Sequence, residues 1–136
     1  MEINYAIEQK LGVDEFLEVL KESGLAERRP VQDKARIAKM LSNANIIVTA
    51  RSQGKLIGVA RSISDFAYCT YLSDLAVSLE HQKKGIGKEL IRFTKKSTGE
   101  AKLILLSAPA AVDYYPRIGM KRHEHCYLLD NVNELR

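Results

Sequence analysis

The stretch Gln82-Lys83-Lys84-Gly85-Ile86-Gly87-Lys88 places two glycines and three lysines between a β-rich segment and a helical pattern. A glycine-rich turn between a strand and a helix exposes backbone N–H groups at the positive end of the helix dipole. The lysines of the turn add positive charge, and further basic residues follow as far as Lys96. This stretch predicts a site for a phosphate group, and its neighbours must indicate which molecule carries that phosphate.

Two common phosphate-binding motifs do not fit this turn. A Walker A loop needs glycine at position 82 and serine or threonine at position 89, but those residues are Gln82 and Glu89. A dinucleotide fingerprint needs a third glycine at position 90, which is Leu90. Another phosphate ligand therefore remains open, and so does a tight turn that only joins a strand to a helix.

The elements around the turn have a mixed α/β order. Helical spacing of apolar residues begins at Val13, near Pro30 and at Ile86, and the first and third patterns end at Gly24 and Gly99. Strand patterns cover residues 2–8, 46–51, 56–62, 68–77, 103–106 and 121–129, and a short helical turn covers 112–118. The run at 103–106 is apolar throughout, which predicts a strand buried on both faces. We expect one α/β (α+β) domain over residues 1–136, with a central mixed, mostly antiparallel sheet flanked by about four helices.

The segment 72–90 resembles the acetyl-CoA-binding segment of the GNAT acetyltransferase superfamily, whose signature is Gln/Arg-x-x-Gly-x-Gly/Ala. Gln82, Gly85 and Gly87 match every specified position of that signature. The order of predicted elements is also similar to that of the family over residues 2–130. The resemblance implies a single-domain GNAT fold that binds acetyl-CoA mainly through backbone groups.

The same resemblance implies which residues contact the donor. The pyrophosphate would be held by the amides of Gln82, Lys83, Lys84, Gly85, Ile86, Gly87 and Lys88. The pantetheine arm would pair with backbone groups of Leu75, Ala76 and Val77, as an added strand would. A backbone N–H of this strand would also meet the oxyanion that forms during acyl transfer.

The stretch 111–120 resembles the second signature of the family, a helix that carries Phe-Tyr ahead of Gly-Phe. Tyr115 stands at the tyrosine position, so the resemblance implies that its phenol gives a proton to the departing CoA thiolate. Packing is the alternative role, because Tyr115 also belongs to an apolar stripe of helical spacing. Pro116 is expected to distort this helix, since proline has no N–H to donate.

The transfer also needs a route for the amine proton, because an alkylamine with a pKa of about 10.4 is protonated at neutral pH. Asp74 precedes the turn, near where the family often has a polar or acidic residue, and is the candidate base. A hydrogen-bonded structural carboxylate is the alternative. The catalytic glutamate position of the histone-modifying branch falls at Tyr71, so that mechanism is not carried over. Deprotonation through water stays open.

Composition limits the remaining classes of function. The formal net charge is +4, which suits an anionic ligand but is too small for a nucleic-acid footprint. No apolar run approaches the ~18 residues of a membrane span, and the N-terminal residues lack a signal-peptide pattern. His123 and His125 alternate on a predicted strand without an evident third ligand, so no metal site is expected. Cys69 and Cys126 are expected to be buried thiols of a cytoplasmic protein.

The residues and the resemblance together predict an acetyl-CoA-dependent N-acetyltransferase. It would transfer the acetyl group directly to an amine of a small molecule or of a peptide or protein. A non-catalytic CoA-binding sensor or interaction module is the alternative. The expected partners are acetyl-CoA and an amine-bearing acceptor, without nucleic acid or membrane, and a homodimer through an edge strand is open by analogy.

Overall fold

A computed structural model describes residues 2–136 of the chain. These residues form two compact units, of which the first ends at Leu106 and the second is Ser107–Arg136. Of the helices described, none combines the length and the apolar character needed to cross a membrane. The single domain predicted over 1–136 stays a prediction.

The first unit is built on a five-stranded sheet in the order β1-β2-β3-β4-β5. The strands are β1 Asn4–Ile7, β2 Ile46–Ser52, β3 Lys55–Ser64, β4 Cys69–Val77 and β5 Lys102–Ile104. The first four strands pair in antiparallel fashion, and β5 joins β4 in parallel. Gln53 and Gly54 close the β2–β3 hairpin with φ angles of 50° and 81°, both positive as the twist of a two-residue hairpin requires. The predicted mixed, mostly antiparallel sheet is confirmed.

Three helices of the first unit pack on the two faces of this sheet. They are α1 Val13–Ser23, α2 Lys34–Asn43 and α3 Ile86–Ser97. Phe16 of α1 and Ile37 of α2 belong to one apolar cluster, and Leu90 of α3 belongs to another. Val59 and Ala60 are consecutive in β3 but lie in different clusters, so the clusters occupy opposite faces of the sheet. The fourth helix, α4 Tyr114–Arg117, belongs to the second unit.

Helix α2 begins later in the chain than the sequence predicts. The Asp33 carboxylate accepts the Arg36 N–H at 3.0 Å and caps the helix, which leaves Pro30 outside it. An aspartate at this position satisfies an N–H group that has no acceptor within the helix, and it therefore favours a start at Lys34.

Strand β5 is shorter and more exposed than the sequence predicts. Ile104 and Leu106 are each 44% exposed, although both belong to the continuous apolar run. β5 lies at the edge of the sheet and has one strand neighbour, β4. The prediction of a strand buried on both faces is wrong, because an apolar run by itself does not distinguish a central strand from an edge strand.

The strand predicted at 121–129 is not found among the residues that the structure describes. This part of the second unit is irregular, and Tyr127 and Leu128 are 89% and 71% exposed. A strand needs a partner for its backbone N–H and C=O groups, and none of the five described strands pairs with this segment. Local β-propensity alone therefore does not produce a strand here.

The predictions for the histidines and cysteines change with this result. His123 and His125 do not share a strand face; the His125 N–H donates to His123 Nδ1 at 3.0 Å. The described residues contain no group of three candidate metal ligands. Cys69 and Cys126 are both exposed, so their predicted burial is wrong. Cys69 begins β4 at the end of the sheet, and Cys126 lies in the irregular segment.

Candidate active site

Hydrogen bonds fix the end of β4 and the start of the glycine turn. The Ser78 N–H donates to the Ile57 carbonyl at 2.9 Å, and Gln82 Nε2 donates to the Val77 carbonyl at 2.9 Å. Ser78 Oγ and His81 Nδ1 lie 2.7 Å apart. The side-chain amide of Gln82 is therefore engaged with the chain itself, and it holds the turn against the sheet.

The turn then presents a series of free backbone amides. Lys83 and Gly85 have φ angles of 64° and 81°, and no side chain caps the start of α3 at Gly85. The Glu89 N–H donates to the Gly85 carbonyl at 3.1 Å, but the N–H groups of 83–88 reach no backbone carbonyl of the described residues. Free amides in such a turn form a concave nest for an anion, at the positive end of a twelve-residue helix. We call residues 83–88 the anion nest.

Positive side chains surround the anion nest. Lys83, Lys84 and Lys88 are exposed and free to approach a bound anion. Ile86, by contrast, is 2% exposed and packs in the cluster on the α3 face of the sheet. Ile86 therefore anchors the first turn of α3 and offers a ligand only its N–H group.

Strand β4 has a long edge without a strand partner. It pairs with β3 from Thr70 to Val77, but with β5 only from Cys69 to Tyr71. Within the described part of the chain, residues 72–77 have no strand on that side, and we call this stretch the free edge. An unpaired strand edge can bind an extended ligand by main-chain hydrogen bonds.

The residues predicted to hold the pantetheine arm, Leu75, Ala76 and Val77, all lie on the free edge. The side chains of Ala76 and Val77 are 2% and 9% exposed. What this stretch offers to a ligand is therefore backbone N–H and C=O groups. The free edge leads through Ser78 and a short 3-10 turn into the anion nest, so both parts of the predicted donor site are continuous in the chain.

Asp74, the candidate base, is buried between two arginines. Its side chain is 0% exposed, and its two carboxylate oxygens pair with Nε of Arg29 and Nε of Arg61. A general base needs an oxygen within reach of the substrate proton or of a water. The observed pairing favours the structural alternative for Asp74.

The two arginines are functional candidates that sequence reasoning missed. Arg61 carried a signal in the sequence, because it is a charged residue within the β-rich segment 56–62. Arg29 carried none, since it lies in the irregular connection after α1. Only the tertiary fold brings it to a residue 45 positions later in the chain.

Tyr115, the candidate proton donor, lies in α4 of the second unit. The helix begins at Tyr114, so Pro116 falls in its first turn, where N–H groups have no acceptor within the helix. The distortion expected from Pro116 is therefore wrong. Burial, and to a smaller extent the neighbouring Tyr114, raises the pKa of the Tyr115 phenol above its ordinary value of 10.0. The phenol keeps its proton at neutral pH.

Comparison with known proteins identifies what this architecture is similar to. A family model described as the acetyltransferase (GNAT) domain matches residues 12–132. A GNAT-family acetyltransferase from Streptococcus pneumoniae has a TM-score of 0.75 at 18% identity, over 97% of this chain and 98% of that one. A search among curated protein sequences found no significant match.

Two further solved structures share the fold. An aminoglycoside N-acetyltransferase in complex with CoA has a TM-score of 0.72 at 15% identity, over 96% of this chain and 95% of that one. A ribosomal-protein-alanine N-acetyltransferase from Brucella melitensis biovar Abortus has a TM-score of 0.73 at 19% identity, over 96% of this chain and 100% of that one. The family match spans most of the chain, including the free edge and the anion nest, and the chain therefore belongs to the GNAT acetyltransferase family.

Proposed function

We propose that the protein is an N-acetyltransferase that takes the acetyl group from acetyl-CoA and transfers it directly to an amine. The observation that carries this proposal is the free edge at 72–77, which leads into the anion nest at 83–88. At about 3.3 Å per residue, the free edge can accommodate roughly 20 Å of an extended arm. A pyrophosphate in the anion nest would then leave the thioester beside the backbone of the free edge.

The reaction assigns a task to each part of this arrangement. The ammonium form of the amine first gives up one proton. The neutral nitrogen then forms a bond to the acetyl carbon, the C–S bond breaks, and the nitrogen loses a second proton while the CoA thiolate takes one up. We assign the oxyanion to a backbone N–H among Leu75, Ala76 and Val77, since such a dipole is already oriented in the folded strand. We assign the pyrophosphate to the amides of 83–88, with Gln82 holding the turn in place.

Tyr115 is assigned as the donor of the proton that the CoA thiolate takes up. Its raised pKa is compatible with this role, because the phenol carries its proton at neutral pH and is in the donor form. We also propose a single domain over 1–136, which the family match across residues 12–132 supports. With Asp74 held by two arginines, we assign removal of the amine proton to water.

The acceptor is proposed only as an amine of a small molecule or of a peptide or protein. The aminoglycoside and ribosomal-protein-alanine acetyltransferases are named for different acceptors, so this fold does not select one. A non-catalytic CoA-binding module is the second candidate, and the engagement of Asp74 favours it, because no free carboxylate replaces Asp74 on β4. A cytoplasmic location and a homodimer stay predictions.

A melting experiment tests the donor assignment first. We expect acetyl-CoA to raise the unfolding temperature by several degrees at about 100 times its Kd, and ATP and NAD at equal concentration to raise it less. An equal shift with ATP would contradict the proposal. A panel of amines, screened for release of the CoA thiol, then separates an enzyme from a module that binds acetyl-CoA without transferring its acetyl group.

A further inference from the structure

A buried cluster of three charges lies beside the free edge. Asp74 of β4 is 0% exposed, Arg61 of β3 is 6% exposed, and Arg29 of the connection between α1 and α2 is 21% exposed. Two cations therefore share one carboxylate. Such clusters contribute little net stability, because the loss of hydration offsets the attraction between the charges. The position of this cluster in the fold is therefore a better guide to its role than its contribution to stability.

The cluster is built around an irregularity in β4. Arg61 pairs with Asp74 and Ser62 pairs with Leu72, so Ser73 is an extra residue in the β4 strand. A bulge of this kind leaves one residue out of the ladder and bends the strand. Nη2 of Arg29 donates to the Ser73 carbonyl at 2.8 Å. Arg29 thus binds both the bulged residue and the carboxylate that follows it.

The bulge lies where β4 stops pairing with β5 and its free edge begins. Before it, β4 pairs with β5 as far as Tyr71, and after it β4 is paired only with β3. A slip of one residue at this point would turn every later side chain of β4 to the opposite face. Nη1 of Arg61 donates to the Met40 carbonyl at 3.1 Å, which ties the cluster to α2 as well. The direction of the free edge therefore depends on this cluster.

We infer that Arg29 and Asp74 are positioning residues for the acyl donor: they hold the Ser73 bulge, and through it they set the backbone edge that receives acetyl-CoA. This inference rests on the proposed function. It assigns to Asp74 a role in binding and orientation, and it removes Asp74 from the proton-transfer steps. Arg29 acquires a role although the polar partners of its side chain are Asp74 and the carbonyls of Ser73 and Arg28.

The test compares R29A with a matched control, R51A. Arg51 is 20% exposed, pairs with the carboxylates of Glu8 and Glu15, and donates to the Gly54 carbonyl at 2.9 Å. It therefore resembles Arg29 in exposure and bonding, but it lies on β2 and β4 does not pair with β2. R29A leaves Arg61 and Asp74 as a neutral pair, so this variant creates no unpaired buried charge.

The full-length variants are titrated with acetyl-CoA by calorimetry. We expect R29A to weaken the Kd by about tenfold, which corresponds to the loss of about one main-chain hydrogen bond between the displaced free edge and acetyl-CoA. R51A should bind as the wild type does. R29K should recover part of the affinity, because one ammonium group keeps the charge but cannot reproduce the planar fork of the guanidinium group.

D74N distinguishes positioning from base catalysis. With an amine from the screen, the positioning role predicts that D74N weakens acetyl-CoA binding as R29A does and leaves the pH dependence of kcat unchanged. A base role predicts a loss of kcat of about 10²-fold or more with the Kd unchanged, and that result would overturn the inference. Wild-type affinity in R29A would overturn it even if D74N does not fold. Failure of the wild type itself to bind acetyl-CoA would instead refute the proposed function, and the inference with it.

Discussion

Replacing Gly85 by alanine perturbs the anion nest, and Gly54 of the β2–β3 hairpin provides a matched control. Both glycines have a φ of 81°, and a Cβ built on either meets no heavy atom within 4 Å. Alanine in this left-handed conformation costs about 1–2 kcal/mol. Both variants should therefore unfold roughly 3–7 °C below the wild type, for the same reason and by similar amounts.

The response to ligand separates the two variants. At about 100 times its Kd, acetyl-CoA adds about 2.7 kcal/mol to wild-type stability, or roughly 9 °C. Loss of one N–H bond to a phosphate is worth about 2 kcal/mol, which weakens the Kd about 30-fold. At the same ligand concentration the gain in G85A falls to about 0.9 kcal/mol, or roughly 3 °C, while G54A keeps the full gain.

Differential scanning fluorimetry measures these shifts, and S-acetyl-pantetheine supplies an internal control. This shorter thioester lacks the pyrophosphate, so it should stabilise G85A and G54A equally. If acetyl-CoA raised the unfolding temperature of G85A by the full ~9 °C, the anion nest would not hold the pyrophosphate. The glycine turn would then be only a connection between β4 and α3.

Two more predictions concern proton transfer and pH. Y115F should lower kcat by about 10²-fold and leave the acetyl-CoA Kd unchanged, because it removes the proposed acid but keeps the ring. Thiol-release kinetics measures kcat, and calorimetry measures the Kd. An unchanged kcat would assign Tyr115 to packing. Hydrogen bonds from Arg51 lower the pKa of Glu8 and of Glu15 below 4.5. Their stabilisation is therefore present above pH 4.5 and is lost as the pH falls through the lowered pKa values. At pH 7, urea unfolding should show the wild type about 1 kcal/mol more stable than R51A, a small difference because solvent screens these charges. If this difference in stability did not shrink towards pH 3, the pairing would be contradicted.

Local patterns in the sequence were enough to predict the elements from which the proposed donor site is built. The glycine turn, the apolar spacing after Ile86 and the β-rich segment before it are all encoded by neighbouring residues. The structure has β4, the turn and α3 in the predicted order. Backbone conformation and helix periodicity are short-range properties, which is why these elements could be read from the chain alone.

Predictions that depended on a distant partner were less successful. Segments 103–106 and 121–129 are both predicted as strands, but the first forms a short edge strand and the second forms none. Strand formation depends on a neighbouring strand that accepts and donates hydrogen bonds, and this neighbour is absent from a local pattern. The start of α2 was missed for a local reason, since the Asp33 cap was overlooked.

Neighbouring residues alone predict a strand that leads into a glycine turn rich in lysine, and the proposed phosphate site is based on this pattern. The end of the β4–β5 pairing at Tyr71, and the binding of Asp74 by Arg29 and Arg61, could not be predicted from such a pattern. The two kinds of feature depend on interactions of different range along the chain. A φ angle or a helix start follows from a few adjacent residues, whereas an open strand edge and a buried ion cluster exist only when segments far apart in the chain meet.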